Sequence, residues 1–483
     1  PTGNYRNLFE FIYDTLLYFN PVQKKLDPRL ATSYSWSSDN RTLAKNVKWQ
    51  DGTAFSAQDV VFTFDVLKNN PVLDTYQLWK DIASVTASGN TVTFTMKSAF
   101  PSLPYYLSTV YIVPEHIWKA QDPVTFLNTS PIGTGAFIFK KYNTGTDIQL
   151  VSNPDYFGGR PHIDGIDILT YSSASATTLA LLKGDASQTL GTIAMPSIPR
   201  LLDNKDSHMQ AYPGLQNFVV LLNNANSELG NPIVRRAMIM GVDRKTLIEK
   251  GELNAVYPMN DAFLPDLFGS LVSQSSFNAE SLKYDPAGAM KLLEDNGFTK
   301  GSDGIYVDPK TGKKLSFTYY EAAGAPAQEN EANMMQQWLK AIGVEATPKL
   351  ATWPELTSIA RSGSYDMVQL GIPMPPDPFT FLDSVFSSSA TAPVGQNTNG
   401  LNYARYRNPK VDSLLVQLAK TFDPTQREQL FQQIQAEIIQ SVPPYIPMYN
   451  VGGHIIYNTS GFTGFTTDYP VGSVQNMLSI HKS

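Results

Sequence analysis

The hydrophobic pattern changes along the chain. In the first half, short stretches alternate: Thr91–Met96 (TVTFTM) sets Val92, Phe94 and Met96 against threonines, as a half-buried strand should. Ser56-Ala57-Gln58-Asp59 is a capping box. The Ser56 hydroxyl caps a helix start while the Asp59 carboxylate reaches back, so a helix is predicted from Ala57. Gly133-Thr134-Gly135 has the look of a phosphate-cradling loop. No Lys-Ser/Thr pair or helix follows it, and an aromatic strand-like run (Phe137–Tyr142) does, so it reads as a turn feeding a strand.

The second half turns helical and alternates with strands. Asn231-Pro232 and Asp285-Pro286 each pair a capping side chain with proline in the first helical turn. Asp243 reads as the cap of a helix ending near Gly251. Ala289, Leu292 and Leu293 form one face of a helix stopped by Asn296-Gly297. Ala332, Met335, Leu339 and Ile342 share another, closed by Gly343. Strand-like Lys314–Tyr320 precedes that helix and strand-like Val344–Leu350 follows it, which predicts a βαβ unit with parallel strands. A further helix, Glu355–Arg361, leads through Gly363 to the apolar strand Tyr365–Leu370. After it comes Gly371-Ile372-Pro373-Met374-Pro375-Pro376-Asp377-Pro378, predicted as a stiff loop at a strand's carboxyl end, where open α/β sheets bind ligands. A rigid linker is the other reading of this loop.

Composition removes whole classes. The chain has 483 residues, enough for about three domains, and carries a net charge of −6. It has no basic run to track a nucleic acid. Without cysteine there is no disulfide, thiolate metal site or cysteine nucleophile; the five histidines never reach ligand spacing, and no cofactor motif appears. No apolar run approaches the roughly 18 residues of a membrane span. The opening Pro1-Thr2-Gly3-Asn4-Tyr5 lacks the basic and apolar regions of a signal peptide. No GxSxG elbow or zinc motif marks a hydrolase, although a carboxylate pair of the glycosidase kind is open to sequence.

Several motifs together carry a resemblance. KNVKWQDGTAFSAQDVVFTF (Lys45–Phe64), PIGTGAFIFKKY (Pro131–Tyr142), NPDYFGGRPHIDGIDI (Asn153–Ile168) and LLKGD (Leu181–Asp185) are followed by NPIVRRAMIMGVDR (Asn231–Arg244), YDPAGAMKLLEDNGF (Tyr284–Phe298), GSYDM (Gly363–Met367) and YRNPKVD (Tyr406–Asp412). In order and spacing the chain resembles the large solute-binding proteins of the oligopeptide, nickel and oligosaccharide ABC importers.

The resemblance implies an α/β, periplasmic-binding-protein type II clamshell: two lobes, a two-stranded hinge and an extra α+β domain on lobe I. Residues 1–31, 152–213 and 452–483 would form lobe I, 32–151 the extra domain, and 214–451 lobe II. The hinge would cross at Tyr212-Pro213-Gly214 and at Val451-Gly452-Gly453, with glycines to absorb a rotation. It further implies a non-enzymatic, exported monomer, periplasmic or at the cell surface, with or without a lipid anchor, that docks onto membrane permease subunits. Sensing is the alternative to import, and a secreted glycoside hydrolase or peptidase is the rival of another class. Two departures stand out. The chain starts downstream of the family's first strand, as a truncated chain would, and Leu43-Ala44 replaces a longer strand segment.

For the ligand, the resemblance implies an aspartate after the strand ending at Leu370, set to pair with a peptide's α-ammonium. The matching position here is Met374, with Asp377 three residues on. The opening segment, Asp122-Pro123-Val124-Thr125-Phe126 and the Gly/Pro-rich loop are similar to oligosaccharide binders of the cellobiose type. The expected ligand is therefore an oligosaccharide, with an oligopeptide as the alternative. Stacking on aromatic rings and amide hydrogen bonds would hold a sugar. Tyr5, Trp353, Phe379 and Tyr403 are the candidate platforms; Asn4, Asn217, Asn397 and Asn402 the candidate amides; and Gly371, Met374, Pro375 and Asp377 the candidate wall. Trp353 reads equally as a core residue, Trp36 and Trp49 as structural residues of the extra domain. Asn223 reads as a satisfier of backbone groups, and Arg235 and Arg236 as salt-bridging residues.

Overall fold

The computed structural model describes residues 6–35, 40–43, 47–189, 197–252, 254–277, 279–324 and 326–483. Asn4, Tyr5, Trp36 and the segment beginning at Ala44 therefore lie outside the described residues. The chain divides into two compact units. Unit 1 is Pro1–Tyr212 with Gly453–Ser483, and unit 2 is Pro213–Gly452.

Unit 1 contains a four-stranded sheet, in the order Ala31–Tyr34, Asn40–Leu43, Thr91–Met96, Ile82–Ser88, and a three-stranded one, Phe137–Asn143, Asp147–Ser152, Gly165–Leu169. The alternation in Thr91–Met96 does what the pattern predicts: Val92 and Phe94 are buried, and Phe94 packs edge-on against Phe64. Phe64 belongs to the helix Ala57–Asn69, whose capping box closes as predicted at Ser56 and Asp59. Gly133-Thr134-Gly135 is indeed a turn feeding a strand. A side chain at Gly133 or Gly135 would strike the backbone of Phe11 and Ile12. Trp49 is buried, a structural residue.

Unit 2 is built on a six-stranded sheet in the order Tyr257–Pro258, Tyr445–Asn450, Gln216–Leu222, Met367–Pro373, Ser316–Ala322, Glu345–Ala351. The predicted βαβ unit is present. Ser316–Ala322 and Glu345–Ala351 run parallel, joined by the helix Pro326–Ala341, and Ser316–Ala322 also runs parallel to Met367–Pro373. Ala332, Met335, Leu339 and Ile342 are all buried against this sheet. The caps at Asn231 and Asp285 form as read, each accepting a backbone N–H of the first turn. After Asp243 the structure departs from a single helix: one short α turn, Arg244–Thr246, passes into a wider π turn, Leu247–Gly251.

Two further expectations are corrected. Gly371–Pro373 is not loop. It extends the strand, pairing with Phe218, Asn217 and Gln216, so the connection to the next helix is only Met374–Asp377. Arg235 makes no salt bridge among the described residues. It is buried and donates to the carbonyls of Leu229, Gly230, Ser441, Val442 and Pro443, tying a helix start to a distant turn.

The units exchange chain at residues 212–213 and 452–453. In unit 1, Ser207–Tyr212 pairs antiparallel with Gly453–Asn458, and a Cβ at Gly453 would meet the Tyr212 ring. In unit 2, a Cβ at Gly214 would fall 2.2 Å from the Val451 carbonyl oxygen. Both glycines are required by close approach, since neither has a positive φ. Asn450 locks the unit 2 side, accepting from the Gly214 N–H and donating to the carbonyls of Gly214 and Gln216.

Candidate functional site

Three parallel strands of unit 2 end on the same edge of the sheet, at Ala322, Ala351 and Pro373. Each is followed by a helix, starting at Pro326, Trp353 and Pro378. The edge therefore carries three helix N-termini, the usual place for a ligand on such a sheet.

One aromatic group stands at this edge. Trp353 opens its helix behind a capping box formed by Thr352 and Glu355, and it is 40% exposed, unusual for so large an apolar side chain. Its ring meets Phe218 edge-on, with centroids 6.1 Å apart. Phe218 in turn stacks on Tyr449 at 5.2 Å, the planes inclined by 19°. Gly371 is what lets Phe218 lie there. A Cβ at Gly371 would stand 2.9 Å from the Phe218 ring and 2.6 Å from the Gln216 amide nitrogen. The surface is thus a ladder of rings with an exposed indole at its end, suited to stacking on a flat or C–H-rich ligand group.

Behind the ladder lies a buried polar network. Tyr319, Glu321, Glu331 and Gln369 have no exposed surface. The Tyr319 hydroxyl lies 2.5 Å from Glu321 Oε2 and 2.7 Å from Gln369 Oε1. The Gln369 amide donates to Glu331 Oε2, which also accepts from the Tyr449 hydroxyl at 3.3 Å. Burial pushes Glu321 up to about 7. Glu331 rises well above the carboxylate range, first because it is buried and then because the Glu252 carboxyl faces it.

The residues read from sequence are only partly brought together. Trp353 and Gly371 meet through Phe218. Pro375 and Phe379 are half-buried near the same edge, on the short connection and the helix it enters. Met374 is turned inward and almost fully buried, its N–H held by the Leu215 carbonyl. Asp377 is buried and caps the helix Pro378–Phe386 by accepting the Thr380 N–H, so it is not an open counter-charge. Asn217 and Asn402 are structural. Asn217 donates to the Phe263 carbonyl and accepts from Asn450, while Asn402 ties Ser387 to Tyr406.

Asn397 and Tyr403 sit at the wrong end. Arg405 gathers the carbonyls of Ala360, Arg361, Gln396 and Tyr403 around the last turn of the helix Trp353–Ser362, opposite its N-terminus. Asn223, as read, bonds the Gly363 and Tyr365 carbonyls. It lines a shallow depression of about 390 Å³ at the far edge of the sheet, where the Asn226 amide and the Thr318 N–H both donate to Asp366.

Phe218, Gln216 and Glu331 were missed. The period-2 alternation of Gln216–Leu222 carried a signal: it puts Phe218 on the face opposite Asn217. Glu331 lies four residues before Met335, on the apolar stripe of its helix, where a carboxyl is out of place. Among the described residues no group of His, Asp or Glu side chains is arranged to hold a metal, and no helix is long and apolar enough to cross a membrane.

This architecture is that of the type II periplasmic binding proteins. The chain superimposes on the periplasmic oligopeptide-binding protein of Thermotoga maritima with a TM-score of 0.83 at 22% identity, covering 98% of this chain and 94% of that one. The mannohexaose-bound form of that protein gives 0.73 at 21%, covering 98% and 93%. In sequence, the chain is 26% identical over 465 residues to the oligopeptide-binding protein AppA of Bacillus subtilis, covering 91% of this chain and 81% of that protein. It is 27% identical over 456 residues (90% and 80%) to a protein of Brucella ovis whose name describes an ABC transporter peptide-binding protein. The profile of the bacterial extracellular solute-binding proteins, family 5 (middle), matches residues 25–393, and the chain belongs to that family: it is a solute-binding protein.

Proposed function

We propose that the chain captures oligopeptides outside the cytoplasm and hands them to membrane permease subunits, binding its ligand without transforming it. The observation that carries the peptide over the expected oligosaccharide is the set of relatives matching nine-tenths of the chain, which bear peptide-binding names. In this reading unit 2 is lobe II and supplies one wall, with Trp353, Phe218 and Gly371 at the strand ends. Unit 1 carries lobe I and the domain at 32–151, and the crossings at 212–213 and 452–453 are the hinge. Lobe closure is driven by the ligand's extra affinity for the closed state.

The wall argues for a particular kind of peptide recognition. Asp377 is committed to a helix cap and Met374 is packed away, so neither offers a negative charge to an α-ammonium. The peptide is held instead by stacking on Trp353 and by main-chain hydrogen bonds to the helix N-termini.

An oligosaccharide is the second reading, favoured by one observation: an exposed indole braced by Phe218 is also a sugar platform, and a fold neighbour named for oligopeptides was crystallised with mannohexaose. A thermal-shift screen of mixed peptides against manno- and cello-hexaose separates the two. A ligand at 100 times its Kd adds about 2.7 kcal/mol to the folded state. Stabilisation by peptides alone supports the proposal; stabilisation by hexaoses alone replaces it.

A further inference from the structure

The buried network in unit 2 has too few hydrogens for its acceptors. The Tyr319 hydroxyl has one hydrogen and two acceptors, Glu321 Oε2 and Gln369 Oε1. With Gln369 donating its amide to Glu331, Tyr319 must serve the Gln369 carbonyl, and Glu321 must then carry its own proton. If the Gln369 amide is reversed, Tyr319 serves Glu321, but Glu331 must then donate to the Gln369 oxygen. Either orientation needs a protonated carboxyl.

A second shortage is sharper. Glu331 Oε1 and Glu252 Oε1 are both buried, and neither receives a donor from the described residues. Glu252 sits at the end of the π turn Leu247–Gly251, and its carboxyl faces that of Glu331 on the helix Pro326–Ala341. The titratable groups packed around the pair are Glu321 and Tyr319 on one strand and Tyr449 on another. All are acidic. No ion pair reaches Glu252, Glu321 or Glu331 among the described residues, and two facing carboxylates in such a place repel without compensation.

We propose that Glu331 is a proton-binding site in unit 2, holding at neutral pH a proton that it donates to the facing Glu252 carboxyl and losing it on alkalinisation. The proton is the hydrogen bond the two orphaned oxygens lack. It bears on the aromatic surface, because the Tyr449 hydroxyl donates to Glu331 while the Tyr449 ring carries Phe218 and, through it, Trp353. Losing the proton would put charge behind the ladder and loosen it. The site does not depend on which solute the protein takes.

The test is the thermal unfolding profile of the full chain from pH 5 to 9, for wild type, Glu331→Gln, Glu252→Gln and the exposed control Glu280→Gln, with an infrared spectrum at pH 7. Glutamine keeps the shape and supplies an N–H in place of that proton. Wild type and the control should lose several degrees of Tm with rising pH, whereas E331Q and E252Q should show a flatter slope and a higher Tm than wild type at pH 8. The protonated-carboxyl band of wild type should weaken in E331Q. If both glutamine variants parallel wild type, or unfold at lower temperature across the whole range, or if wild type shows no protonated-carboxyl band, the proposal is overturned.

Discussion

Each unit buries a carboxylate centre, and the two solve the same problem in opposite ways. In unit 1, Asp14 is 1% exposed and its charge is met by a cation: Arg29 Nε lies 2.8 Å from Oδ1, which also accepts from the Tyr156 hydroxyl at 3.1 Å, while Oδ2 accepts from Thr134. In unit 2, Glu331 is equally buried, but its neighbours are two more carboxyls, an amide and two phenols. A paired charge holds its site together while both partners remain, whereas an unpaired acid avoids its desolvation cost by staying neutral. The first centre is sensitive to losing a partner and the second to gaining a charge.

The largest effect should follow from breaking the pair in unit 1. Asp14→Ala strands a buried guanidinium, and removing one partner of such a pair costs about 3–5 kcal/mol. Denaturant unfolding should show a markedly lower midpoint, and a loss below about 1 kcal/mol would mean that Arg29 finds another partner or water. Next comes the pH response of unit 2. An acid whose folded value is raised takes up a proton on folding, so its contribution is full below the unfolded value and fades as pH rises. For Glu321 the fade runs from pH 4.5 through about 7; for Glu331 it continues to higher pH. Each group contributes a slope of about 1.4 kcal/mol per pH unit within its window. Above the range in which Glu10, beside Asp14 in unit 1 and raised to about 7, takes part, Asp14→Asn should leave that slope intact, and Glu331→Gln should reduce it. Equal pH profiles for the two variants would erase the contrast.

How much of this was legible depended on whether the information was local. The caps at Ser56, Asn231 and Asp285 and the parallel βαβ unit were readable because a cap or a period is complete within a few residues. Asn217 was misread as a ligand amide because its partners, Phe263 and Asn450, lie 46 and 233 residues away. Asn402 and Arg235 failed for the same reason: a polar side chain that finishes a distant segment's backbone bonds has no local signature. The proline-rich stretch misled differently. Gly371–Pro373 looks like loop by composition but is held in the ladder by pairing with Gln216–Phe218. Trp353 and Gly371 were candidates by local pattern alone, whereas Phe218, through which they meet, needed the strand's facing to be worked out.

Smaller effects belong to the aromatic edge. Gly371→Ala pushes a methyl group into the Phe218 ring, and overpacking of this kind costs about 1–3 kcal/mol. Ligand-induced stabilisation should fall with it, and an unchanged ligand shift would place the ligand elsewhere. Trp353→Ala should barely alter unliganded stability, since the ring is 40% exposed. It should weaken binding by roughly tenfold, the size of an aromatic contact of about 1 kcal/mol or a little more. Isothermal titration would check it, and full affinity in the variant would remove the indole from the site.

The central claim, a binder of intact peptides whose wall is the Trp353–Phe218–Gly371 edge, is tested most directly by one retention experiment. Wild type and W353A are incubated with a mixed peptide library, separated rapidly from free ligand, and the bound fraction is weighed by mass spectrometry. Uncleaved peptides held one per chain by wild type, with W353A retaining far less, is the predicted result. Cleaved peptides, or no peptide retained by wild type under conditions where a hexaose is, would contradict it.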